Sequence, residues 1–372
     1  MRIFWNLFFF CLSLCLALAA GEGLTRVWVK HRGDALHRAR RVITADPAYS
    51  WRQRAHLDTE FEGAPLITDA TGFRQLSAEP RRAVDVVTIG PSSAFGWGVR
   101  AEDTYTEVAA RDTGLIGFNA GQIGYSLTQG RRLYQELRND SRIKDAKIVI
   151  ISYGINDLDR FRFFGSQHAS TEDDEAYFAR DFQSDIRWER FATGSSFFEL
   201  LVRSKNELNY ATNCGVTSPP SLRLSPSKFG ASLQKLIAEI RADNRTPILV
   251  NTPYRRHPTD VDDTSDIAYR NSARAHEQGH CREAREWVLK ARSAEPERVS
   301  RDVVKLNSVI SQVGAAETVP VVDAYRILGD DSALYFDPIH PSTEGHRRLA
   351  ANLAIAFHET VDFKKTSAEP AR

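Results

Sequence analysis

Five residue positions spread over most of a 372-residue chain carry the groups that acyl transfer requires. That chemistry needs a hydroxyl nucleophile, a base for its proton, a group that orients the base, and donors for the oxyanion. Ser92 offers the hydroxyl. His340 is placed to take its proton through one ring nitrogen, and Asp337, three residues earlier, to accept from the other and fix the tautomer. The backbone N–H groups of Ser92 and Gly121 and the side-chain amide of Asn156 are the candidate oxyanion donors. Each residue alone also has a plain structural reading: Ser92 as a turn or cap, Gly121 as a left-handed turn position, Asn156-Asp157 and Asp337-Pro338 as turns. Their shared placement sets them apart, each lying just beyond a short apolar strand or just before the last helix.

The elements that must position them are legible in order. The run Val84–Ile89 is β-branched, as in a buried parallel strand, and stops at Gly90-Pro91. A helix capped at Asp103 or Thr104 runs to about Arg111. Leu115–Asn119 is a second strand, and a helix from about Ser126 to Arg138 follows the loop at Gly121. Lys147–Ser152 is a third strand, apolar on both faces, that empties into Asn156. After a long stretch rich in Phe, Arg and Asp, Ser225-Pro226 starts a helix with Phe229, Leu233, Leu236, Ile237 and Ile240 on one face. Pro247–Asn251 and Val319–Asp323 are the last strands, and a closing helix begins near Ser342 or Thr343. Alternating strands and helices predict an α/β fold with a parallel sheet covered on both sides.

These residues resemble the sequence blocks of the SGNH (GDSL-type) hydrolase family. The first block is similar in Gly90, Ser92 and Phe95-Gly96-Trp97-Gly98-Val99, and the second in Asn119-Ala120-Gly121. The third is similar in Gly154-Ile155-Asn156-Asp157 and the last in Asp337-Pro338-Ile339-His340-Pro341. The resemblance covers roughly residues 84–357. It implies a three-layer α/β/α sandwich with a flavodoxin-like, mostly parallel five-stranded sheet. It also implies esterase, lipase or acetyl-transfer chemistry through Ser92, His340 and Asp337 without a metal. One position departs: the family has Asp before the nucleophile, and here it is Pro91, which removes a carboxylate and a backbone N–H. The G-x-S-x-G elbow of the other large α/β hydrolase group is absent.

Charges nearly cancel, at a formal net +1, which argues against nucleic acid or an acidic polymer as partner. No Cys/His cluster has metal-ligand spacing, and no cofactor is expected. Residues 1–20 are an apolar run behind Met1-Arg2 that ends in Ala17-Leu18-Ala19-Ala20-Gly21, either an export signal or an uncleaved membrane anchor. Arg26, Lys30, Arg32, Arg38, Arg40 and Arg41 follow it, which the positive-inside rule would hold in the cytoplasm if the span were retained. The expected location is nevertheless extracytoplasmic, and there Cys214 and Cys281 permit one disulfide.

Residues 21–83 read as an arm packed loosely on a hydrolase domain of residues 84–362, with a tail at 363–372. Insertions are expected at about 158–220, on the substrate side, and 267–299. In the second, Ala275, Gly279, Ala284, Val288, Ala291 and Pro296 resemble one helical hairpin of the tetratricopeptide family, either packed on the sheet edge or docking a protein partner. Three activities are compatible with these residues. The first is hydrolysis of a small acyl ester, such as acetyl on an envelope carbohydrate. The second is transfer of that acyl group to another hydroxyl, and the third is binding or assembly with the reaction weakened by Pro91.

Overall fold

The computed structural model describes residues 2–32, 35–76, 83–158, 174–179, 186–187, 190, 194–201, 204, 222–255, 264–293 and 295–367. Among them, nine short strands form three sheets. Two are antiparallel hairpins, β1 (Ile43–Asp46) with β2 (Ser50–Gln53) and β3 (Asp58–Phe61) with β4 (Ala64–Ile67). The third joins β5 (Val86–Ile89), β6 (Gly117–Asn119), β7 (Ile148–Ile151), β8 (Thr246–Val250) and β9 (Val321–Val322) in the order β6-β5-β7-β8-β9. Every pairing in it is parallel, with Val86 opposite both Gly117 and Ile148. Relabelled from its first strand this is the 2-1-3-4-5 order of flavodoxin-like sheets, whose direction of winding reverses beside β5.

The strands are buried on both faces, which is why they read as continuous apolar runs rather than alternating ones. Val87, Ile89, Val149 and Ile151 point into one layer with Leu133, Phe229, Leu236, Ile240, Leu306 and Ile310. Val86, Ile148, Ile150 and Ile248 point into the other with Val108, Leu349, Leu353 and Phe357. The result is the expected three-layer α/β/α sandwich.

Local sequence sets the helix starts. Ser126 and Gln129 form a reciprocal capping box for Leu127–Leu137, and Ser225 accepts from the Lys228 N–H ahead of Pro226–Ala242. The closing helix, Thr343–Ser367, runs on into the stretch read as a tail.

Three features differ from the sequence reading. First, the segment expected to pack loosely is part of the core: Ala39, Ile43, Trp51, Leu66 and Phe73 are buried in the larger cluster. Its hairpins are four residues a strand, too short for a periodic signal. The β3–β4 connection is nonetheless a two-residue turn, Glu62-Gly63, with φ of 52° and 81°, the left-handed pair that such hairpins favour. Second, the expected helical hairpin at 267–299 forms with other bounds: helices Thr264–Glu277 and Cys281–Ser293 pack around a small core of Ala268, Tyr269 and Ala291, and Pro296 lies beyond them. Third, it leads straight into a helix, Glu295–Ala316, that returns the chain to β9. Most of the 158–220 insertion, including Cys214, lies outside the described residues, while Cys281 is disulfide-bonded and Cys11 and Cys15 are free.

One buried acid reports on the packing of the helix Tyr105–Asp112 against β6. Glu107 lies beneath Gly117, where any Cβ would come within 2.9 Å of its Oε2. Burial, aided by Glu102 and opposed by Arg111 and Arg74, pushes its carboxyl from 4.5 up to about 7. The folded chain therefore holds a proton that the unfolded chain has lost. Stability falls as pH rises from 4.5 through about 7, by roughly 3 kcal/mol in all. Glu107→Gln is expected to raise the melting temperature by several degrees at about pH 8, with the gain vanishing at about pH 4. Thermal denaturation of both chains across that range checks the sign.

Candidate active site

Ser92 follows β5 at the first turn of a short helix, Ser92–Phe95, that Pro91 opens in extended conformation. The Pro91 carbonyl accepts from the N–H groups of Ala94 and Phe95 at 3.0 and 2.9 Å, so proline is compatible with the turn. Gly90 is sterically required, because a Cβ there would meet the Ala94 Cβ at 2.5 Å and the Ser152 carbonyl at 2.8 Å.

His340 lies in the loop before the closing helix, and its ring reaches Ser92. Nε2 is 2.8 Å from Ser92 Oγ and Nδ1 is 2.7 Å from Asp337 Oδ2. Asp337 Oδ1 accepts from the backbone N–H groups of Ile339 and His340 at 2.9 and 3.0 Å, which fixes the carboxylate over the ring. Burial pushes the Asp337 carboxyl up, but the His340 ring and those two N–H groups more than offset it and hold it below its ordinary value. An ionised carboxylate only accepts hydrogen bonds. Nδ1 therefore carries the proton, and Nε2 is left to accept from the Ser92 hydroxyl. Both Ser92 and His340 are buried. The Ser92–His340 contact forms with Pro91 in place.

Gly121 and Asn156 occupy the equivalent places after β6 and β7, the two strands that flank β5. The Asn156 Nδ2 donates to the Tyr125 carbonyl at 3.1 Å, leaving its second N–H for another acceptor. The Gly121 N–H donates to Asn119 Oδ1 at 2.9 Å, so it is shared with a side chain rather than free for an oxyanion. Asn119 also donates from Nδ2 to the Ala94 carbonyl at 2.8 Å. It thereby staples the Gly121 loop to the helix that carries Ser92. A Cβ at Gly121 would meet the Phe95 backbone nitrogen at 2.5 Å, and only glycine permits that approach.

Further support comes from residues with no catalytic signature in the sequence. Trp51 Nε1 donates to the Ile123 carbonyl at 2.8 Å, and Gln53 Nε2 to the Gly121 carbonyl at 3.1 Å. The N-terminal hairpin thus supports the loop after Gly121 from outside. Beneath it, Arg223 is buried against Asp174 at 3.1 Å and donates to the Gly124 carbonyl at 2.8 Å. Asp157 Oδ1 accepts from the Leu127 N–H at 2.8 Å. Burial, with Asp174 nearby, pushes the Asp157 carboxyl up to about 8, against the pull of the Leu127 N–H and Arg223. Asp157 is thus held as a neutral acid beside Asn156. Only tertiary structure brings these groups together, and no spacing in the chain announces them. Among the described residues no group of His, Cys, Asp and Glu is arranged to hold a metal.

The model of the GDSL-like lipase/acylhydrolase family matches residues 87–348, more than half of the chain. No curated protein matches. Solved structures similar to the chain include a carbohydrate acetylesterase from Sinorhizobium meliloti, at 13% identity and a TM-score of 0.40, covering 74% of this chain and 99% of that one. Another is a catalytic mutant of an acetylxylan esterase from Geobacillus stearothermophilus, at 14% identity and a TM-score of 0.39, covering 74% and 96%. A third is a member of the lipolytic protein G-D-S-L family from Veillonella parvula, at 12% identity and a TM-score of 0.39, covering 74% and 99%. The assignment rests on the family match and not on these distant likenesses: with its matched region spanning β5 to the closing helix, this chain belongs to the GDSL-like lipase/acylhydrolase family of ester-hydrolysing enzymes.

Proposed function

We propose that the protein is a serine esterase that removes a small acyl group, such as acetyl, from an ester outside the cytoplasm. The observation that carries this reading is the single imidazole hydrogen-bonded to Ser92 Oγ on one side and to Asp337 on the other. Ser92 Oγ attacks the acyl carbon while its proton passes to His340 Nε2. The imidazolium is stabilised by the Asp337 carboxylate. The oxyanion is received by the Ser92 N–H and the second amide N–H of Asn156, the Gly121 N–H being engaged by Asn119. Collapse expels the alcohol, which takes the proton from His340, and leaves an acyl-serine. Water, activated by the same ring, then releases the acid. Transfer to a glycan hydroxyl instead of water would appear as acylated glycan among the products.

Three observations support a membrane-held, exported chain. The apolar run is one face-exposed helix, Arg2–Arg32, that continues past Ala20 without a break, and the stretch Arg2–Trp28 is long and apolar enough to span a bilayer. Just beyond the run, Glu22 accepts hydrogen bonds from the Ser195 hydroxyl and the backbone N–H groups of Ser196 and Phe197 at 2.6, 3.1 and 3.0 Å. That docks the helix, ten residues before its end, on the segment 195–197. The disulfide at Cys281 fits an oxidising compartment.

With a chromogenic acetyl ester, Ser92→Ala and His340→Ala are expected to lower kcat by about a thousandfold or more. Asp337→Asn, which keeps the shape but not the charge, is expected to cost on the order of 10⁴-fold. Turnover unchanged in Ser92→Ala would end the reading. For the anchor, intact mass of the membrane-extracted chain should begin at Met1. A soluble form beginning at Gly21 would show instead that the run is a cleaved signal.

A further inference from the structure

Trp97 lies five positions after the nucleophile, in a loop whose rigidity the sequence does not suggest, and it is buried. Its indole is stacked on the His340 imidazole, with ring centroids 4.7 Å apart and planes 9° from parallel. Phe61, at the tip of the β3–β4 hairpin, meets the indole edge-to-face with centroids 4.7 Å apart. The loop around Trp97 is fixed on every side. Gly96 and Gly98 take the left-handed conformation, with φ of 87° and 69°. The buried Arg74 guanidinium donates to the carbonyls of Phe95, Gly96 and Val99 at 2.8, 2.9 and 2.7 Å, and to that of Pro65 in β4 at 3.3 Å. A Cβ at Gly98 would come within 3.0 Å of the ring of Phe336, the residue before Asp337.

The two hydrogen bonds to His340 lie in its ring plane and act at two points. They hold the line between Asp337 and Ser92 but resist rotation about that line only weakly. A flat, immobile partner over the ring face supplies the missing constraint. The indole face also carries the negative part of its quadrupole and attracts a cation lying over it. It therefore favours the imidazolium over the neutral ring, at the step in which the Ser92 proton arrives.

We propose that Trp97 is a positioning residue for His340, its indole face holding the imidazole plane between Ser92 and Asp337 and stabilising the imidazolium formed as Ser92 attacks. This rests on the reading of His340 as the base. The proton concerned leaves Ser92 Oγ as the new C–O bond forms, resides on Nε2, and goes to the departing alkoxide oxygen, so no further reactant is needed. The other ionisable groups facing this ring are few. Asp337 is hydrogen-bonded to it, and His346 of the closing helix, a fully buried ring that accepts from the Tyr105 N–H at 3.1 Å, senses its charge. Burial, then Arg74 and His340, lowers His346 to about 3, so it is uncharged near neutrality, and Asp337 supplies the carboxylate bonded to the ring.

The test uses the full chain in detergent with Trp97→Leu, Trp97→Phe and Phe61→Leu. Each is assayed for kcat and KM on a chromogenic acetyl ester across pH, and the protonation midpoint of the His340 ring is followed by NMR. Trp97→Leu is expected to lower kcat about tenfold or more, with KM within about twofold. The acid limb of the profile and the ring midpoint should both move to lower pH by about half a unit or more. Trp97→Phe, which keeps an aromatic face, should recover most of the loss. Phe61→Leu, which removes the ring packed edge-to-face against the indole, should fall between them, and it carries the test if the leucine variant does not fold. A wild-type kcat and an unmoved midpoint in the folded variants would overturn the proposal, as would a loss confined to KM, which would make Trp97 a wall of the substrate pocket. Failure of the esterase reading looks different: Ser92→Ala would keep its turnover, while the His340 midpoint would still answer to Trp97.

Discussion

The parallel pairing of β5 with both β6 and β7 is the constraint on which the rest of this structure depends. Parallel neighbours cannot be joined by a tight turn, so each strand must hand the chain to a helix that crosses back over the sheet. All carboxyl ends then open on one rim, and the winding reverses beside β5. A hydroxyl after β5, a glycine after β6 and an amide after β7 are brought side by side by topology alone. The closing segment then needs only to return to that rim with an imidazole. Its hydrogen bonds to Ser92 and Asp337 follow from the placement of one loop, whose Tyr335 and Pro341 bridge one another.

Around this rim, polar groups are buried in a connected set rather than singly. Asn119 joins the loop of one strand to the helix of the next, and Arg223 ties the stretch after Gly121 to Asp174. Ser126 is also bound to Asp174, and Arg223 to Gln129, which draws the capping box of the following helix into the same cluster. Such networks are costly if half-satisfied and stiffening when complete. The loops of the site are therefore held from behind as well as from the sheet. Pro91 fits this picture. The residue before Ser92 contributes a carbonyl and a backbone direction, and Asn119, Gly90 and the Arg74 clamp position the turn that follows.

Much of this architecture was legible in the residues themselves. The five core strands are short, mostly apolar runs ending in glycine, asparagine, serine or aspartate, and the caps at Ser126 and Ser225 mark their helices. The residues that converge on the rim were likewise visible as hydroxyl, amide, carboxylate and imidazole at strand ends. What escaped reading did so for distinct reasons. The helix Glu295–Ala316 had a signal, since Val303, Leu306, Ile310 and Val313 recur at intervals of three and four, but the insertion before it drew attention to its own pattern. β1 to β4 had almost none, because four-residue strands acquire their inward faces only from what they lie against. Trp97 was visible as a residue and not as a partner, since the rings on either side of it come from β3 and from the end of the chain.

The hairpin β1–β2 lies outside the region matched by the family, which begins at residue 87. Yet Trp51 and Gln53 hold the carbonyls of Ile123 and Gly121, and the Tyr125 hydroxyl returns a bond of 2.7 Å to the Trp51 carbonyl. The folded unit around Ser92 is therefore larger than the region matched by the family. A fragment cut at the edge of that region would retain Ser92, Asp337 and His340 but lose an outer brace of the loop that carries Gly121. The buried body of this chain begins by Ala39, well ahead of the region that the family model matches.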